Sequence, residues 1–148
     1  MNKQELNKLL VVSIAKNDLD TLKLCVEHGA DVNTFEIEDK LYNPLYCCLV
    51  AKNARAFDYL AKHGADVTQR LGNKELSLLY CCCKEENINI GILGLILQYG
   101  GVVDISYAPK GCQSPKDIVK STNNVVIKDY FDRAINKTIA TNEANRRK

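Results

Sequence analysis

The sequence predicts an all-α chain of stacked, antiparallel helix pairs. Three observations point there. The run His28-Gly29-Ala30-Asp31-Val32 is written again as His63-Gly64-Ala65-Asp66-Val67, 35 residues later. A degraded third copy, Tyr99-Gly100-Gly101-Val102-Val103, follows after another 36. Each copy is preceded by apolar residues at helical spacing, so each reads as a helix stopped by a left-handed glycine and followed by a turn into extended chain.

The first pair covers residues 4–33. Leu6, Leu9, Leu10, Val12, Ser13 and Ile14 keep helical spacing until Asn17-Asp18 breaks it. Asp18 can cap a second helix, in which Leu19, Leu22, Leu24, Cys25 and Val26 lead to the stop at Gly29. In the second pair Asn43 supplies a polar cap, and Pro44 takes the first helical position, where its missing N–H costs nothing. That helix continues through Cys47, Cys48, Leu49 and Val50. Ala51-Lys52-Asn53 then echoes Ala15-Lys16-Asn17 at a spacing of 36, against 35 for the glycine motif, which implies a one-residue slip between the copies. Phe57, Tyr59 and Leu60 form the apolar face of the following helix.

The third pair opens at Ser77-Leu78-Leu79-Tyr80, 34 residues after Asn43-Pro44-Leu45-Tyr46, and Cys81-Cys82 stand where Cys47-Cys48 stood. Its turn, Glu85 to Asn89, is longer than the others, and Ile92, Leu93, Leu95, Ile96 and Leu97 make the helix before Gly100. The fourth pair starts at Ser114-Pro115 and runs through Ile118, Val119, Val125, Ile127, Tyr130 and Phe131. Its helices read as shorter and more charged, as a terminal unit with one face in water requires. From Lys137 to Lys148 the chain is polar and ends in Arg146-Arg147-Lys148. That stretch lacks apolar periodicity and reads as a frayed tail.

At 148 residues and 46% hydrophobic the chain can bury a real core, and one domain is the default. A net charge of +2 gives no general attraction to nucleic acid or an anionic membrane. No run of 18 apolar residues and no apolar signal core follow the first residues, so a soluble, cytoplasmic protein is expected. Seven cysteines are many, but they fall as Cys25, the pair Cys47-Cys48, the triplet Cys81-Cys82-Cys83 and Cys112. Five of them lie inside apolar helical patterns, where a reduced thiol packs as a small hydrophobe.

On the repeated Gly29-Ala30-Asp31-Val32-Asn33 and Gly64-Ala65-Asp66-Val67-Thr68, and on Asn43-Pro44-Leu45-Tyr46, Ser77-Leu78-Leu79-Tyr80 and Ser114-Pro115-Lys116-Asp117, the chain resembles the ankyrin-repeat proteins. The resemblance covers residues 4–133. It departs where tyrosine twice replaces the signature histidine and where the segments between repeats run one or two residues long. It implies an ankyrin-repeat solenoid of paired antiparallel helices with β-turn fingers. The repeats would lie at about 4–33, 43–68, 77–105 and 114–135, with the terminal ones as caps, in a domain 1–135 followed by a polar basic tail 136–148. It also implies protein binding through a concave face and fingers, without chemistry of its own. Read as one module with no attached enzyme or membrane domain, the chain would act by covering a partner, as a stand-alone inhibitor or immunity-type binder. An adaptor, or an effector working in a host cytoplasm, is the alternative, and a thiol- or zinc-responsive protein, which would need the cysteine clusters exposed, is the third reading.

Candidate sites follow from these positions. The fingers offer Phe35, Glu36, Ile37 and Tyr42, then Arg70 and Leu71, then Tyr107 and Lys110; the first helices and the long turn add Val50, Lys84 and Glu85. Aromatic and arginine side chains at such tips are what interface hot spots are made of. The partner is expected to be another protein, with no nucleic acid or membrane, and the free chain a monomer. No catalytic residue, cofactor or metal ligand is assigned. Adjacent thiols such as Cys47 and Cys48 diverge by about 100° on a helix, and no C-x-x-C motif is present. Cys47, Cys81 and Cys112 are the expected exceptions to burial. His28 and His63 share one position before a helix-ending glycine, which suits a helix C-terminus without invoking catalysis.

Overall fold

The computed structural model describes residues 1–146. The chain is mostly helical and folds as two compact units, Met1–Val67 and the remainder from Thr68. The boundary falls inside the single domain expected over residues 1–135.

In the first unit α1 (Lys3–Ala15) and α2 (Leu19–Glu27) form one antiparallel pair, and α3 (Pro44–Ala51) and α4 (Ala54–Lys62) the next. Between them stands a hairpin of β1 (Phe35–Ile37) and β2 (Lys40–Tyr42). Every helix begins on a short polar side chain. Asn2, Asp18, Asn43 and Asn53 each accept the backbone N–H three residues on, at 2.9, 3.2, 3.0 and 3.1 Å, which satisfies a donor that has no partner within the helix. The helices stop as the repeated motif requires. Gly29 and Gly64 have φ of 101° and 98°, and the next residue returns its N–H to a carbonyl five back, Ala30 to Cys25 at 2.9 Å and Ala65 to Leu60 at 3.0 Å.

The motif also joins the pairs to one another. The Asp31 N–H donates to Asn7 Oδ1 at 2.8 Å, and the Asp66 N–H donates to Asn33 Oδ1 at 2.9 Å, so the two copies of one residue make the same kind of bond. Asn53, while capping α4, donates through Nδ2 to the Ile14 carbonyl at 3.1 Å. Leu10, Ile14, Leu22, Leu45, Phe57 and Leu60 fill the core.

The copies in this unit stay in register at 35 residues throughout. Asp18 and Asn53 are both caps, and the residue before each, Asn17 and Lys52, is left-handed at φ 56° and 57°. The one-residue slip inferred from Ala51-Lys52-Asn53 is therefore absent; that likeness of letters does not mark equivalent backbone.

The second unit contains α5 (Leu78–Lys84) and α6 (Ile90–Gln98), a 3-10 turn at Gly101–Asp104, then α7 (Pro115–Ser121) and α8 (Val125–Arg146). Its caps are Ser77, Asn89, Ser114 and Asn124, accepting at 3.0, 3.0, 3.2 and 3.1 Å. Leu78, Leu79, Ile92, Leu93, Ile96 and Phe131 are buried at its centre. The terminal pair is not uniformly short. α8 is 22 residues long and continues through the stretch expected to fray, from Lys137 to Arg146. Ile127, Phe131 and Ile135 recur every four residues and are buried along it, which anchors its first half. Arg147 and Lys148, two of the three terminal charges, lie outside the described residues.

Candidate functional site

Finger one is the β1–β2 hairpin. Phe35 pairs with Tyr42, Glu36 with Leu41 and Ile37 with Lys40, leaving a two-residue turn at Glu38-Asp39. Both turn residues have positive φ, 50° and 65°, as a type I′ turn demands. Alternation along β1 then decides which side chains are available. Phe35 and Ile37 point inward and are only 7% and 8% exposed, while Glu36 stands in solvent. The expectation that Phe35 and Ile37 are exposed contact residues is corrected: they are core, and Tyr42, half-buried, packs its ring near Phe35 at 6.1 Å between centroids.

On the outer side of the hairpin Leu41, opposite Glu36, is 69% exposed. β2 runs directly into α3, where Tyr46 (42% exposed) and Val50 (61%) lie four residues apart on one helical face. In α1, which packs against α3, Val12 and Ala15 stand at positions equivalent to Cys47 and Val50, and Val12 is also exposed. The first unit thus leaves a set of large apolar side chains in water on its first helices and hairpin. Val50 was legible in the sequence. Leu41, Tyr46 and Val12 as exposed residues were not, although an apolar residue between the charged Lys40 and the inward Tyr42 follows from the same period-two alternation that buries Phe35.

In the second unit three of the predicted finger residues, Arg70, Leu71 and Tyr107, find partners within the unit. Arg70 Nη2 lies 2.9 Å from Asp104 Oδ1, and its guanidinium sits 3.8 Å from the centre of the Tyr107 ring. The Tyr107 hydroxyl donates to the Glu75 carbonyl at 2.8 Å, and Leu71 forms a two-way backbone bridge with Leu76. Arg70, Leu71 and Tyr107 are thereby joined to the fold of the finger itself. Asp104 is 2% exposed, and its Oδ2 is buried without a hydrogen-bond partner. Lys84 is exposed at the end of α5, with Nζ 5.6 Å from the centre of the buried Tyr80 ring. Glu85, which ends that helix, and Lys110 are exposed.

The thiols follow their positions. Cys25, Cys48, Cys82 and Cys83 are buried, whereas Cys47, Cys81 and Cys112 are half-exposed. Burial pushes Cys81 up to about 11 and Cys83 up to about 12, and it raises Cys47, Cys48 and Cys82 as well. Thiols held protonated in this way are poor nucleophiles. Among the described residues no group of three or more His, Cys, Asp or Glu side chains is arranged to hold a metal ion. His28 and His63 end α2 and α4, and each Nδ1–H donates to a carbonyl four residues back, Leu24 and Tyr59, at 2.8 Å. No helix among the described residues is long and apolar enough to cross a membrane.

No family model matches the chain. Over 79 residues it is 27% identical to a protein of Borreliella burgdorferi named "Putative ankyrin repeat protein", a match that takes in 53% of this chain. The chain spans about a third of that relative's length, 35%. The likeness and the mostly helical architecture with one small hairpin are compatible with an ankyrin-like, all-α fold.

Proposed function

We propose that the four helix pairs are ankyrin-type repeats, two in each unit, and that the chain is a protein-binding module without catalytic activity. The observation that carries this reading is the solvent-exposed apolar set on the first helices and hairpin of the first unit: Val12, Leu41, Tyr46 and Val50. Exposed apolar side chains on the hairpin and on the helices beside it, with Glu36 paired opposite Leu41 and Lys40 next to it, have the makeup of an interface centre with a polar rim. The relative's name points the same way, since ankyrin repeats hold other proteins.

The mode we propose is occlusion: the rigid face covers a functional surface of its partner, as an inhibitor or immunity-type protein does. Capture of partners from the native cell, with the intact chain and with a Leu41→Ala, Tyr46→Ala, Val50→Asp variant, tests the binding. All three positions are exposed, so the variant keeps its core, which substitution of Phe35 or Arg70 would not ensure. One abundant protein retained by the intact chain and lost by the variant is expected. That protein's own activity should then fall as the chain is titrated in; activity unchanged at saturation would refute occlusion, and capture indifferent to the variant would refute the surface.

A further inference from the structure

The outward-facing second helices differ in one respect. α2 carries Asp20, Lys23 and Glu27, and α4 carries Arg55, Asp58 and Lys62, but α6, Ile-Gly-Ile-Leu-Gly-Leu-Ile-Leu-Gln, has no charged residue at all. A surface helix ordinarily carries charge on the side turned from the core. Along α6 that side opens a groove of about 610 Å³ toward α8. Gly91, Gly94, Leu95 and Gln98 line it from α6 on one helical face at spacings of three and four, together with Leu97, so this wall is uncharged and mostly apolar. At Gly94 the Tyr130 hydroxyl lies 2.5 Å from where a Cβ would stand, so glycine there lets the Tyr130 side chain of α8 close against α6, and the open part of the groove lies beside Gly91, Leu95 and Lys137.

The opposite wall is cationic. Tyr130, Arg133 and Lys137 follow one another along α8, and among the described residues no carboxylate lines the groove. Arg133 is already engaged with Asp129 at 3.1 Å, an exposed pair of the kind that contributes little. Lys137 is exposed. An apolar groove with a positive wall and no negative one selects its occupant by charge. A second copy of this chain would set Lys137 and Arg133 against themselves, which disfavours self-pairing.

We propose that the α6–α8 groove docks an amphipathic helix of another protein that carries an acidic side chain beside its apolar stripe, with Lys137 as the counter-charge. The mode is helix-in-groove recognition, in which residues at i, i+3 or i+4 and i+7 enter the cleft. This surface is separate in sequence and chemistry from the hairpin and α3, and does not depend on them.

The test uses a displayed library of helical peptides about fourteen residues long, four turns, with a fixed leucine stripe and randomised flanks. It is selected against the full chain, with binding then measured by fluorescence anisotropy. Two variants accompany it: Gly91→Trp, which fills the groove, and Lys137→Glu, an exposed change that leaves the fold intact. Circular dichroism checks both. Enriched peptides should carry Asp or Glu on the flank, and each variant should weaken them at least tenfold. Enrichment of basic or uncharged flanks, affinities unmoved by Lys137→Glu, or no peptide that distinguishes the proteins would overturn the proposal. So would concentration-dependent dimerisation in sedimentation that Gly91→Trp abolishes, since the groove would then belong to a second copy. The Leu41→Ala, Tyr46→Ala, Val50→Asp variant should bind these peptides as the intact chain does.

Discussion

Arg70 reaches Asp104 at 2.9 Å across the second unit, and this ion pair holds a carboxylate that is almost entirely buried. A buried charge with one partner is costly to strip. Arg70→Ala would leave both Asp104 oxygens unpaired and should destabilise the chain by about 2–4 kcal/mol, toward or below the low end for buried pairs because Arg70 is itself partly in water. The double variant Arg70→Ala, Asp104→Leu should recover part of that loss. Urea unfolding checks both; equal stabilities for the intact chain and Arg70→Ala would show that the pair contributes nothing.

The third copy of the glycine motif keeps its stop at Gly100 but has Gly101 where the others have Ala30 and Ala65. The structure gives the reason. A Cβ on Gly101 would lie 2.3 Å from Ile96 Cγ2 and 2.6 Å from the Ile96 carbonyl oxygen, because the chain turns at once into the 3-10 segment. Gly101→Ala should therefore cost roughly 1–3 kcal/mol, although alanine is the residue at both equivalent positions. A thermal melt indifferent to this substitution would mean that the segment yields freely.

The turn of the first finger carries two non-glycine residues at positive φ, where Asn-Gly is the favoured pair. Replacing Glu38-Asp39 with Asn-Gly should stabilise the first unit by about 1 kcal/mol. The ion pair lost with Glu38, to Lys8 at 3.2 Å, is exposed and worth little. A lower urea midpoint in the variant would argue that the exposed carboxylates matter more than the backbone.

The thiols whose protons are held in the fold, half-exposed Cys81 and buried Cys83 among them, make stability depend on alkaline pH. Their folded values are raised, Cys81 to about 11 and Cys83 to about 12, from an ordinary value of 9.0. In the unfolded chain the thiols lose their protons first. Their contribution is therefore complete below about pH 9 and is lost as pH rises through 11 and 12. Unfolding free energy should fall over that window, with a shallower slope in Cys83→Ala. At neutral pH a thiol reagent should label no more than Cys47, Cys81 and Cys112 quickly; five or more fast thiols would contradict the packing.

Much of this architecture was legible because it is written in local signals that repeat. Glycine stops, Asx and serine caps and the proline at Pro44 each act within one turn of chain, and tertiary packing did not override them. What sequence reading missed depends on longer range or on direction. The inward turn of Phe35 and Ile37 needs the hairpin, whose Glu38-Asp39 turn lacks the usual Asn-Gly signal. The pairing of Arg70 with Asp104 joins residues far apart in sequence, and no local pattern announces it. The length of α8 was concealed by polar residues around a spaced ladder of Ile127, Phe131, Ile135 and Ile139, a four-residue period visible in hindsight. The false echo at Ala51-Lys52-Asn53 shows the converse, since three matching letters did not outweigh the backbone register fixed by caps and glycines.

Protein binding through the hairpin and α3 is the central claim, and hydrogen exchange of the chain with and without its captured partner tests it most directly. The partner should slow exchange in residues 40–51, with the strongest effect around Leu41, Tyr46 and Val50. Protection confined to other segments, or no change anywhere at saturating partner, would contradict it.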